Sequence, residues 1–125
     1  MSLCLVSGSL LAALPLTAFT LAWTHSIEKT RWEEDWRIVG TQLELHDARI
    51  LGSGAGMEPP AGARLDNGVW RYRPSLAPMA TLRLTHSPHT SGYSLCTADG
   101  CRPLADLLPG IGENAVIEVS ACADR

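Results

Sequence analysis

Between Phe19 and Ser26 the chain reads Phe-Thr-Leu-Ala-Trp-Thr-His-Ser, so Phe19, Leu21, Trp23 and His25 alternate with Thr20, Ala22, Thr24 and Ser26. Successive side chains leave a strand on opposite sides, so a period of two marks a strand with one face against a core. The pattern returns at once: Trp32, Glu34 and Trp36 share one face, and Arg31, Glu33, Asp35 and Arg37 the other. Leu43 and Leu45 open a third run that loses phase near His46-Asp47 before Ile50, as a bulge would make it do. Leu82, Leu84 and His86 share a face, as do Ile117 and Val119. Val39-Gly40-Thr41 and Asp66-Asn67-Gly68 supply turns. The second is a strong hairpin signal, because both central residues of the favoured turn need positive φ. Only Ala105–Leu108, ahead of Pro109, offers a helical turn. With 125 residues, 46% of them hydrophobic, one core suffices. The expectation is a single all-β domain over residues 1–125, an antiparallel sandwich or partly closed barrel with little or no helix.

The first 23 residues are apolar enough to invite comparison with a secretory leader. They lack the basic start that a leader carries, and Gly8, Ser9 and Pro15 interrupt the run. Read as a strand (Leu3–Val6), a turn (Ser7-Gly8-Ser9) and a return strand (Leu10–Leu14), the segment is a folded hairpin. No membrane insertion is expected. The net charge of −3, with both signs interspersed, gives no basic stripe for nucleic acid.

Cys4, Cys96, Cys101 and Cys122 permit three pairings. Cys96 and Cys101 flank Thr-Ala-Asp-Gly, and a four-residue loop there sets them directly opposite at bridging distance. Cys4 and Cys122 could meet as neighbours on adjacent strands. Free buried thiols are the alternative, and the expected state in the cytoplasm, which the missing leader signal favours over the periplasm. No zinc-type cysteine spacing is present, and no metal or cofactor is expected.

Three features carry candidate chemistry. Glu34 lies between two tryptophans on one strand face, where burial would raise its pKa unless a partner compensates; His25 on the neighbouring strand is the candidate partner. The loop Gly52–Pro60 holds three glycines in five residues, a backbone able to form an anion-binding nest. The heptads Thr20–Ser26 and Thr81–Ser87 nearly repeat, each ending its strand in Thr-His-Ser. The charges on Arg31, Glu33, Asp35 and Arg37 read as an ordinary solvated ladder. Met57 reads as a core plug before a metal ligand.

His25-Ser26-Ile27-Glu28, Glu34 and Gly54-Ala55-Gly56, with the later Leu-Cys…Asp-Gly-Cys hairpin, resemble the bacterial family called domain of unknown function 1850. That resemblance implies a small accessory protein associated with TRAP-type solute transporters, and no established activity. His86 lacks the acidic residues that follow His25, so the heptads read as two strands with similar ends. The combined expectation is a non-catalytic ligand-binding domain using His25, Ser26, Glu28, Glu34, Gly54 and Gly56, with a transporter component or a small anionic solute as partner. Two alternatives stand beside it: a hydrolase-like enzyme using His25 and Glu34, and a metal-binding module using His25, Glu28 or Glu34, and Met57. Adjacent His25 and Ser26 point to opposite strand faces, which argues against a dyad of those two.

Overall fold

The computed structural model describes residues 1–24, 30–51, 62–87 and 92–124. Eleven strands and one short helix run in chain order: β1 (Ser2–Ser7), β2 (Leu10–Leu14), β3 (Ala18–Thr24), β4 (Arg31–Val39), β5 (Gln42–Leu51), β6 (Arg64–Asp66), β7 (Val69–Tyr72), β8 (Thr81–His86), β9 (Ser94–Thr97), β10 (Gly100–Pro103), α1 (Leu104–Leu107) and β11 (Ala115–Cys122). They form two antiparallel sheets, ordered β2-β1-β11-β8 and β10-β9-β3-β4-β5-β7-β6. The sheets pack face to face as a sandwich and do not close into a barrel.

Local chemistry sets the pairings. The N-terminal residues form a hairpin, with Ser7 paired to Leu10 and Gly8 taking a φ of 58° at the turn. Asn67 and Gly68, at φ 52° and 79°, join β6 to β7 in the turn their residue types predict. The phase slip in β5 is a bulge: Asp35 faces Asp47 and Trp36 faces Leu45, which leaves His46 without a counterpart on β4. Alternation then resumes, and Leu43, Leu45, Ala48 and Ile50 all face inward.

The core lies between the sheets. Leu3, Leu5, Ile117 and Val119 from the smaller sheet meet Phe19, Leu21, Trp36, Leu43, Leu45 and Leu95 from the larger one. Leu104 and Leu108 at the ends of α1 are each 1% exposed and plug the core beside β9. The two similar heptads fall on different sheets, β3 near the middle of the large sheet and β8 at an edge of the small one. His86 lines a cleft of only about 30 Å³ with Gly92, Tyr93 and Leu104.

All four cysteines are paired, as Cys4–Cys122 and Cys96–Cys101. The hairpin carrying the second pair is tighter than the four-residue loop expected. Thr97 pairs with Gly100, so only Ala98 and Asp99 turn, yet Cys96 and Cys101 remain directly opposite. Cys4 and Cys122 lie diagonally on β1 and β11, since Cys4 faces Ser120 and Ser2 faces Cys122.

The two bridges close loops of very different length, with sequence separations of 118 and 5. Chain entropy then assigns them unequal weight. Cys4→Ala with Cys122→Ala should cost about 5 kcal/mol and Cys96→Ala with Cys101→Ala about 2 kcal/mol. Urea denaturation midpoints at pH 7 measure both losses, and equal losses would refute the entropic account.

Candidate functional site

Strand β4 is the middle strand of the seven, and its two faces carry opposite chemistry. On the inner face the register aligns two rows across the sheet. Trp23, Trp32, Ile50 and Trp70 are successive partners from β3 to β7, and Tyr93 extends the row at the β9 side, its ring 5.4 Å from that of Trp23. The next row runs Leu95, Leu21, Glu34, Ala48 and Tyr72. One carboxylate therefore lies in the middle of an apolar sheet face. All four tryptophans and both tyrosines of the chain share that face with it.

The aromatic residues here are not simply core. Trp36 is 4% exposed and packs inside, but Trp23, Trp32, Trp70, Tyr72 and Tyr93 are all half-buried. Trp23 and Trp32 stack, with centroids 6.2 Å apart and planes 11° from parallel. Trp32, Trp70 and Tyr72 stand outside the packed cluster, toward the β7 side of the sheet.

Glu34 accepts a hydrogen bond from Trp36 Nε1 at 3.2 Å, and among the described residues no cation pairs with it. Burial pushes its carboxyl above the ordinary range, and the Trp36 hydrogen bond only partly offsets this. Burial, and then the charge of Glu34, raise the phenols of Tyr72 and Tyr93. Of the residues expected at the site, Glu34 is described and lies where its parity predicts. His25, Ser26, Glu28, Gly54 and Gly56 lie outside the described residues, as does Met57. The proximity of His25 to Glu34 therefore lies outside the described residues too.

The outer face of β4 corrects one expectation. The charges do pair across strands, with Glu33 opposite Arg49, but Glu33 and Asp35 are half-buried and line a groove of about 720 Å³, shared with Thr20, His46, Arg49 and the Cys96–Cys101 bridge. Arg49 donates to both Asp35 oxygens at 2.6 and 2.8 Å, and to Glu33 at 3.0 Å. Arg31 donates to the other Glu33 oxygen at 2.8 Å, and Thr20 to Asp35 at 2.7 Å. Hydrogen bonds from Arg49 hold the Asp35 carboxyl below its usual range against the opposing effect of burial. Burial pushes Glu33 up, but its hydrogen bonds to Arg31 and Arg49 outweigh it and the carboxyl is lowered. Counting from Leu45 in strict alternation puts position 49 inside, whereas the extra residue at His46 turns it out.

These two faces differ in what they can do. The carboxylates of the groove already have cations. On the inner face Glu34 has, among the described residues, one hydrogen-bond donor and no cation, and it stands beside half-buried aromatic rings. The candidate site is therefore the inner one. Among the described residues no group of three or more His, Cys, Asp or Glu is placed to hold a metal.

The family described as Domain of unknown function (DUF1850) matches residues 19–104. That span begins with the inner-face residue Phe19, ends at Leu104, and contains every aromatic residue of the site. No curated protein and no solved structure matches the chain.

The two faces should respond to pH with opposite sign. A carboxyl raised in the folded state is destabilising when ionised, and the loss sets in as pH rises from its unfolded value of 4.5 through the raised one. Tyr72 and Tyr93, the other titratable groups that couple to Glu34, stay neutral in that window. Glu34→Gln should therefore melt above the parent at pH 7, with the gain vanishing toward pH 4. A variant less stable at every pH would give Glu34 a structural role instead. Arg49→Met should cost about 1–3 kcal/mol at pH 7. Because Glu33 and Asp35 are lowered, that loss should fade as acid protonates them below their unfolded values, which paired melting curves from pH 7 to 3 would read.

Proposed function

The chain belongs to the DUF1850 family, and from the geometry of its inner sheet face we propose that it is a non-catalytic β-domain that binds a small molecule around Glu34. One observation carries the reading: every Trp and Tyr of the chain gathers on one sheet face around one carboxylate without a cation partner among the described residues. A face that served packing alone would gain stability from an apolar residue at position 34, because an ionised group there loses hydration that the Trp36 hydrogen bond only partly restores. Retaining the carboxylate makes sense if a ligand supplies the missing interaction.

Other features support an accessory role. The TRAP-type association that the family resemblance implies is a setting in which a small solute-binding domain has work to do. Two disulfides favour an oxidising compartment over the cytoplasm expected from the sequence. Such a compartment would agree with a role on the side of the membrane where such transporters present their solute receptors. The anionic solute expected from the glycine loop rested on residues outside the described ones, and a carboxylate at the base of the site would repel it.

Native mass spectrometry of the protein purified at neutral pH, with tryptophan fluorescence against a panel of solutes, tests the proposal. The expected result is a bound small molecule, or a saturable fluorescence change with at least one solute. Glu34→Gln should weaken that binding about 10- to 100-fold with the β-sheet circular dichroism unchanged. A bare mass together with flat fluorescence across the panel would overturn the reading. Turnover of a solute, lost in Glu34→Gln, would move the assignment to the hydrolase-like alternative.

A further inference from the structure

The two disulfides differ in more than loop length. Cys101 is exposed on β10, the edge strand of the larger sheet, and Cys96 is half-buried beside it on β9. Arg31 reaches across the outer face from β4, and its Nη2 lies 3.9 Å from the sulfur of Cys96 and 3.9 Å from that of Cys101. Its Nε is bonded to Glu33, Glu33 to Arg49, and Arg49 to Asp35. Charges alternate along this chain, and its end at the sulfurs is a cation. The bridge also borders open space. Both cysteines line the groove of about 720 Å³, and Cys101 without Cys96 lines a second cleft of about 350 Å³, with Leu14, Gly100 and Arg102. As a structural staple the bridge adds little: it closes a separation of 5 inside a hairpin that strand pairing already holds.

We propose that Cys96–Cys101 is a thiol–disulfide exchange site that accepts two electrons from a dithiol while Cys4–Cys122 stays closed. Exchange at sulfur is an in-line displacement by a thiolate, and its rate depends on access and on how well the departing sulfur carries charge. Attack on Cys101 comes from beyond β10, where no described strand pairs. Attack on Cys96 would come from the β3 side, over Thr20. One thiolate of the dithiol therefore bonds to the Cys101 sulfur, the bond between Cys96 and Cys101 breaks, and its electron pair leaves on Cys96 as a thiolate beside Arg31. A neighbouring cation favours the thiolate. The second thiol of the dithiol gives up its proton, attacks its own sulfur in the mixed disulfide and expels Cys101, again beside Arg31. The dithiol ends as a disulfide, and Cys96 and Cys101 take up the two protons it released. Cys4–Cys122 resists the same reagent because opening a separation of 118 frees far more of the unfolded chain than opening one of 5. A bridge that stabilises the fold more is, by linkage, harder to reduce while the chain is folded.

The test is a dithiothreitol titration of the full, disulfide-bonded chain at pH 7, with thiols trapped by iodoacetamide and assigned by peptide mass spectrometry. The expected result is alkylation of Cys96 and Cys101 at about 10- to 100-fold less dithiothreitol than Cys4 and Cys122 require, with the β-sheet circular dichroism unchanged. Opening of both bridges together, or of Cys4–Cys122 first, would overturn the proposal, and this reading needs no variant. Arg31→Gln should slow the reduction of Cys96–Cys101 about 10-fold, and Arg31→Lys, which keeps the charge, should recover most of the rate. Equal rates in the parent and in a folded Arg31→Gln chain would remove the cation from the step and overturn the site as argued. Glutathione in place of dithiothreitol, quenched with acid, traps the first adduct. That adduct should sit on Cys101, and an adduct on Cys96 alone would overturn the direction of attack.

Discussion

Strand β4 is paired on both sides along its length, by β3 and by β5, and the pleat of that one strand divides the molecule's chemistry. Even-numbered residues from Trp32 to Trp36 face the core and its aromatic extension, while Arg31, Glu33 and Asp35 face the groove. A slip of one residue would exchange the two sets, placing two carboxylates in the core and two tryptophans in water. Two features prevent it. The inner partners Leu21, Phe19 and Ile50 fix the phase through burial, and the Arg49 fork to Asp35 and Glu33 fixes it from outside. The bulge at His46 lets both conditions hold on the same pair of strands.

How much of this could be read from residues alone depended on whether the signal was local. The alternation of β3 and β4, the Asn67-Gly68 turn, the slip near His46 and the opposition of Cys96 and Cys101 are properties of a few consecutive residues, and each emerges in the fold. The inward position of Glu34 between Trp32 and Trp36 was legible for the same reason. Long-range neighbours were not. Trp70 and Tyr72 reach the site only because β7 pairs with β5, and Tyr93 only because β9 pairs with β3. A partial clue existed: Trp70 and Tyr72 follow a turn and are two residues apart, so they had to share a face, although which sheet received them was open. The outward position of Arg49 follows from the slip near His46, but its fork to both Asp35 and Glu33 depends on the pairing of β5 with β4.

The inner site illustrates a conflict between folding and function. An unfolded chain leaves Glu34 in water, and folding moves it against rings that replace that water only in part, through the Trp36 N–H. The rest of the sandwich tolerates this because its own packing is conventional: a leucine-rich core between two sheets, two disulfides and an outer face whose central charges are matched. The departure from local consistency is confined to one face of one sheet, where a functional site is the usual cause of such a departure.

The Cys4–Cys122 bridge joins the first strand to the last, and β1 and β11 lie side by side in the middle of the smaller sheet. Mechanically, this closes residues 4–122 into a ring. Tension applied on either side of the bridge would cross by the sulfur–sulfur link, and of β1 only the pairings of Ser2 and Leu3 would carry it. A domain wired this way can be held at either end, or pulled between two attachments, while the aromatic face keeps its shape.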